Sequence, residues 1–171
     1  MDSHQIRNSI IPKDSQKTSL TELLLANIEQ GVPIYLAEEC THSFSSFIRG
    51  YHAYMGIWQP SIGDCNLDVM REEGNIHDQF AIGIFQNNVI VGHAPKCISK
   101  AISKFLTLPN CSMASITVTV TGKKVNRGGG YGLEIRTMYT VFGPYNAVEW
   151  IKKQIAKEFE DVKNKTTRCM K

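Results

Sequence analysis

Apolar and polar positions change period several times along the 171-residue chain, and the changes mark out its elements. Residues 1–17 are polar around Pro12 and carry no usable period, so they are expected to be disordered. Ser19-Leu-Thr-Glu22 has capping-box spacing, in which the serine hydroxyl and the glutamate carboxylate satisfy each other's free backbone N–H groups. It predicts a short helix through ELLLANIEQ, ended by Gly31, and with the stretch after Pro33 this forms an N-terminal helix and linker, 18–43. From Phe44 the pattern shortens to period two. Phe44–Tyr54 predicts a first strand, Leu67, Val69 and Arg71 a second, and Phe80–Phe85 a third with Phe80, Ile82 and Ile84 on one face. Asn87-Asn88, two residues tolerant of positive φ, predicts a tight hairpin into Val89–His93. Pro95 can open a helix whose Ile98, Ala101, Ile102, Phe105 and Leu106 fall at helical spacing, and Pro109 bounds it.

Ser115–Thr121 is the cleanest alternation, with Ile116, Val118 and Val120 inward and four hydroxyls outward. Lys123–Tyr131, with Gly128-Gly-Gly130, turns the chain and Leu133–Phe142 returns. A last helix, Ala147–Lys163, sets Val148, Ile151, Ile155, Phe159 and Val162 on one stripe. Several short strands around one helix predict a mainly β domain over 44–143, a small β-barrel rather than a flat open sheet, followed by a C-terminal helix and tail over 144–171.

Composition narrows the class. A hydrophobic fraction of 42% with 20% charged residues fits one soluble globular domain. No apolar run approaches the roughly 18–20 residues that span a bilayer, and MDSHQIRNSIIPKDSQ has no signal-peptide core, so a nuclear or cytoplasmic rather than secreted protein is expected, without a membrane partner. The cysteines, Cys40, Cys65, Cys97, Cys111 and Cys169, are odd in number, scattered and never paired as Cys-x-x-Cys, which reads as reduced thiols. Net charge is only +3, but residues 1–43 sum to −3 while 44–143 and 144–171 each sum to +3. The middle and the end could meet an anion; the front would not.

Four groups of residues could carry chemistry. Arg71-Glu-Glu-Gly-Asn-Ile-His-Asp78 crowds hydrogen-bonding groups at the mouth of the third strand. Asn75 there can take a left-handed turn conformation while Asp78 caps backbone N–H groups and His77 is exposed, or Asp78 can offer a carboxylate to a ligand hydroxyl and Asn75 an amide to a base edge. Tyr51-His-Ala-Tyr54 offers a core tyrosine or a stacking platform. His93 stands just before a helix N-terminus, and Lys96, Lys100 and Lys104 recur every fourth residue along that helix, as a solvated face or an anion-binding one. Lys123, Lys124 and Arg127 flank the glycine run, an exposed tip or a phosphate wrap. Neither Gly-x-Ser-x-Gly nor His-Glu-x-x-His is present, so no enzyme and no cofactor are expected. His77, Asp78 and His93 match no standard metal-ligand spacing, which leaves a metal-dependent nuclease the least favoured reading.

Arg71-Glu-Glu-Gly-Asn-Ile-His-Asp78, then Ala81-Ile82, Val91-Gly-His-Ala-Pro95 and a short helix resemble the HIRAN domain, over roughly residues 46–143. Gly50–Asp64 is similar to the opening of stand-alone HIRAN-like proteins of invertebrates. The resemblance implies an OB-like barrel and, from its helicase-linked members, recognition of single-stranded DNA at a free 3′ end. Carried over by motif, Asp78 would accept the terminal 3′-hydroxyl, Asn75 would contact the last base and His77 would flank it. His93 would meet a phosphate, and Tyr54 would complete the pocket. The chain departs from the pattern where DNA-end binders have a basic residue and two aromatics, for it has His52, Ala53 and Tyr54, and Leu133 stands at a stacking aromatic of the last strand. No helicase motor accompanies the domain within these 171 residues. The expected function is therefore a nucleic-acid-binding module for single-stranded DNA with a free 3′-hydroxyl. The alternative is a protein-interaction module on the same scaffold, using the C-terminal helix and Trp150.

Overall fold

The first strand both begins and ends earlier than its hydrophobic pattern predicts. In the computed structural model, which describes residues 39–109, 113–126, 128, 130 and 132–168 (backbone alone from 165), strand β1 runs Glu39–Ile48. The expected N-terminal disorder, the capping-box helix and Arg127 lie outside the described residues. Gly50 stops the strand. At φ 73 it takes the left-handed conformation that glycine adopts without steric cost, and Tyr51–Ala53 winds into a 3-10 turn instead of continuing. Tyr51 is thereby swung wholly into the core, where its hydroxyl donates to the Trp58 carbonyl at 3.1 Å.

The remaining elements are β2 (Leu67–Arg71), β3 (Ile82–Gln86), β4 (Val89–His93), helix α1 (Lys96–Leu106), β5 (Ser115–Asn126), β6 (Leu133–Pro144) and helix α2 (Tyr145–Arg168). The hairpin turn stands where the sequence places it, with Asn87 and Asn88 at φ 51 and 63. β3 starts two residues later than predicted, because Phe80 still belongs to the preceding turn, whose Asp78 carbonyl accepts from Ala81 N at 3.0 Å. β5 runs beyond its alternating stretch to Asn126, with a shift of register against β6 between Val120 and Lys124.

All strand pairs are antiparallel, and the six strands lie in the order β1-β6-β5-β2-β3-β4. Phe44 opposes Tyr139 across β1 and β6, rings stacked at 5.3 Å, and the buried Tyr139 hydroxyl donates to the Phe47 carbonyl at 2.9 Å. Among the described residues the architecture is mainly β, as expected, with two α-helices, the internal and the C-terminal one. The ladder is not closed into a barrel. Its edge strands meet at a single bridge beyond the end of β1, where Arg49 N donates to His93 O at 2.8 Å and His93 N to Arg49 O at 2.9 Å.

The core lies between the sheet and the helices. α1 contributes Ile98, Ala101, Ile102 and Phe105, and α2 contributes Val148, Ile151 and Ile155 from the predicted stripe. Further along α2 Phe159 is half-buried and Val162 exposed, and Trp150 packs partly on the core. Under the edge bridge, Glu134 is 0% exposed and its Oε1 accepts from Arg49 Nε at 2.6 Å. Burying a carboxylate is tolerable only when it is paired in this way.

The bridge requires a residue without a side chain at position 92. A Cβ built on Gly92 would lie 2.2 Å from Ile48 Cγ2 and 2.9 Å from the Arg49 carbonyl, whereas one on Gly56 would meet nothing within 4 Å. Gly92→Ala is expected to lower unfolding free energy by about 1–3 kcal/mol, the usual cost of overpacking. Urea denaturation checks this, with Gly56→Ala as the control that should leave the midpoint nearly unchanged.

Candidate functional site

Gly74, at φ 79, folds the chain back on itself between β2 and β3 and so permits the polar corner that follows. Asn75 then ties that corner together. Its Oδ1 accepts from His77 N at 2.9 Å and Asp78 N at 3.1 Å, and its Nδ2 donates to Glu72 Oε2 at 3.1 Å. Asp78 Oδ1 accepts from Phe80 N at 2.9 Å, capping the start of the next segment. The left-handed position of this turn is taken by Gly74 and not, as expected, by Asn75, which holds the turn through its side chain instead; the capping role expected of Asp78 is met by one oxygen. Asp78 Oδ2 has no partner among the described residues.

Asp78 belongs to a cleft. Asn75, His77, Asp78, Ala81 and Ile82 line it from the β2–β3 side, His93 and Ala94 from the end of β4, and Lys96 and Ser99 from the start of α1, around a volume of about 240 Å³. Ser99 is spent on the Ala94 and Pro95 carbonyls, at 3.3 and 3.1 Å. Lys96 is exposed. Five residues singled out from the sequence, Asn75, His77, Asp78, His93 and Lys96, thus share one cleft, although 21 positions separate the first from the last.

Tyr54 stands at its edge. Its ring lies 6.0 Å from that of His93, and His93 Nε2 lies 2.6 Å from Glu72 Oε1, a close contact without donor–acceptor alignment. Burial raises the Tyr54 hydroxyl above the ordinary tyrosine range, and the nearby Glu72 carboxylate raises it further. In the sequence Glu72 is one member of the polar run Arg71–Asp78. It proves to touch both Asn75 and His93.

The other nominated residues do not line the cleft. His52 is exposed and faces Gly132, just ahead of Leu133, and Leu133 is half-buried against the core. Lys124 Nζ lies 3.1 Å from the Tyr51 hydroxyl and 4.8 Å from the centre of its ring, while Lys123 and Lys124 border a second hollow of about 280 Å³ with Pro60, Ile62 and Gly122. The 3-10 turn at Tyr51–Ala53 connects these places, since Tyr54 after it meets His93, His52 faces the start of β6 and Tyr51 meets Lys124. On α1, Lys100 caps the Phe80 ring at 5.7 Å and Lys104 faces solvent.

Among the described residues no group of three or more His, Cys, Asp and Glu is placed to hold a metal ion, and no helix is long and apolar enough to cross a membrane. No protein-family model matches the sequence, and no curated protein matches it. Solved structures do. The crystal structure of the HIRAN domain of human HLTF superposes with a TM-score of 0.55 at 18% identity, over 72% of this chain and 95% of that one. The chain has a HIRAN-like fold. An NMR structure of the HLTF HIRAN domain matches at TM-score 0.50 and 20% identity, covering 70% of this chain and 91% of that one. A further NMR structure shows the HLTF HIRAN domain in its DNA-bound conformation, at TM-score 0.49 and 19% identity.

Within this HIRAN-like fold the Tyr54–Glu72 relation can be tested directly. Glu72→Gln removes the carboxylate that opposes the phenolate, so the Tyr54 pKa should fall, yet stay above the ordinary range because burial, the larger cause, is untouched. A pH titration of the Tyr54 ring carbon by NMR checks the direction; an unchanged midpoint would mean that the carboxylate is screened.

Proposed function

We propose that this HIRAN-like domain is a nucleic-acid-binding module that takes the 3′-hydroxyl end of single-stranded DNA in the cleft between the β2–β3 corner and α1. The observation that carries the reading is Asp78, a cleft-lining carboxylate that Phe80 N engages through one oxygen only. A carboxylate so fixed accepts a hydrogen bond from a hydroxyl, and only a terminal nucleotide has a 3′-hydroxyl to donate. Lys96, exposed on the opposite wall, supplies the cation for a phosphate. The reading extends to this chain what its resemblance to helicase-linked HIRAN domains implies. It treats the sheet as an OB-like barrel left open between β1 and β4. No bond is made or broken in it, so the domain is a binder and not an enzyme, and a nuclear or cytoplasmic location follows.

Base stacking is weak in this reading. Ala53 is exposed and offers no ring, Leu133 is drawn against the core, and the Asn75 amide is largely committed to its own turn. Each lost aromatic platform costs on the order of 1–3 kcal/mol. These same absences favour the second reading, a protein-interaction module on the same scaffold. A salt titration separates the two, since counterion release makes DNA binding fall steeply with salt while an apolar protein interface barely responds.

In fluorescence anisotropy, an oligonucleotide with a 3′-hydroxyl should bind more tightly than the same strand with a 3′-phosphate, because the phosphate both lacks the donor and meets the Asp78 charge. Asp78→Asn keeps an acceptor for Phe80 N but removes the carboxylate. It should weaken the 3′-hydroxyl strand roughly ten- to a hundredfold, the worth of a charged hydrogen bond. Equal affinity for the two ends would reject the mechanism.

A further inference from the structure

His93 is the cleft histidine that the resemblance assigns to a phosphate, yet its surroundings give it other work. Nε2 lies 2.6 Å from Glu72 Oε1. The Nδ1 edge faces Gly50, where an added Cβ would stand 3.5 Å away. The ring is 6.0 Å from that of Tyr54, and the backbone is fixed in both directions by Arg49. Both ring nitrogens are thus turned toward protein. Glu72, only 23% exposed, spends its second oxygen on Asn75 Nδ2, and Asn75 in turn holds the amides of His77 and Asp78.

We propose that Glu72 is the positioning residue of the cleft, and that Glu72 and His93 form an internal strut between β4 and the β2–β3 corner, His93 serving as that strut and not as a phosphate contact. The chain of contacts runs from the anchored backbone of His93 through the Glu72 carboxylate to the Asn75 amide, and from there to the two N–H groups that set the direction of Asp78. The Glu72 carboxylate beside Nε2 repels any phosphate drawn toward the ring. The cation left for a phosphate is Lys96. The inference rests on the nucleic-acid reading for its ligand, but the strut exists in the free protein and can be tested without one.

The first arm therefore uses the protein alone. In Glu72→Ala, hydrogen exchange at the His77 and Asp78 amides should accelerate severalfold and the His93 ring resonances should move. Glu72→Gln, whose amide oxygen still accepts from Asn75, should move the His93 ring and largely preserve those two amides. Unchanged amides and ring resonances in Glu72→Ala would overturn the strut.

The second arm uses a single-stranded 3′-hydroxyl oligonucleotide across a salt series. Each phosphate contact on a single strand contributes about 0.7 to the slope of log K against log salt. His93→Ala should weaken binding at every salt concentration with the wild-type slope, and Lys96→Ala should lower the slope by about that increment. A lowered slope in His93→Ala would return the histidine to a phosphate role and reject the assignment. Glu72→Ala/His93→Ala should lose no more affinity than the worse single variant, because residues acting as one unit are not additive; additive losses would count against the strut. If the wild-type protein binds no oligonucleotide, the nucleic-acid reading fails and the first arm alone decides the strut.

Discussion

The Arg49–His93 bridge is the contact on which the arrangement depends. It joins the two edges of the sheet by a reciprocal pair of backbone hydrogen bonds, 2.8 and 2.9 Å long, where no ladder exists. Two features make the approach feasible. Gly92 has no side chain to hold the strands apart, and Gly50 turns the chain aside immediately after Arg49. Once the edges meet, the Arg49 side chain falls over the buried Glu134, and His93 arrives beside Glu72 and Tyr54. Removing one partner of a buried charge pair costs about 3–5 kcal/mol, so Arg49 ties the fold together through both its backbone and its guanidinium.

The corner before β3 shows how a turn can serve as scaffold and recognition surface together. Nearly all its hydrogen-bonding capacity is turned inward. Asn75 holds two amides and Glu72, and Asp78 holds Phe80 N. The two neutral bonds contribute about 0.5–1.5 kcal/mol each and the two to carboxylates about 1.5–3 kcal/mol each, and together they fix the Asp78 carboxylate at the cleft wall. Preorganisation of this kind lowers the ordering cost of binding more than it adds contacts. It suits a small ligand group met at a single atom better than a long strand read base by base.

Much of the fold was legible in the sequence, because it rests on local signals. Asn87-Asn88 gave the hairpin, the alternation through Ile116, Val118 and Val120 gave the start of β5, and Pro95 with Ile98, Ala101, Ile102 and Phe105 gave α1. The end of β1 was not legible, since Tyr51 continues the apolar pattern while Gly50 breaks the geometry. Open or closed edges could not be read either, because a strand count does not say which edges touch. At the cleft, the nominated Asn75, His77, Asp78, His93 and Lys96 do converge. Glu72 was passed over because a glutamate in a charged run ordinarily reads as solvent-facing, and its two contacts lie on segments that only the fold brings together. Lys123 and Lys124, a separate candidate beside the glycine run, and His52 and Leu133, where the chain departs from the family pattern, do not line the cleft.

The short pairing between β2 and β5 has a mechanical consequence. Leu67–Val118 and Asp68–Thr117 pair those strands, with two further backbone bonds joining Gly63 and Asp64 to Val120, whereas β1, β6 and β5 are laced to one another along most of their lengths. The sheet is thus two three-stranded panels with a thin hinge at β2–β5 and a latch at Arg49–His93. Proteins open first where few bonds must break together, and here that line divides the functional surface unequally. Asp78, His93 and Lys96 ride on the panel of β2, β3 and β4 with its following helix, while Tyr54 follows from the β1 side. A flexing of the panels would change the gap between tyrosine and histidine while leaving the carboxylate and the lysine in mutual register, so the width of the mouth is adjustable and its chemistry is not.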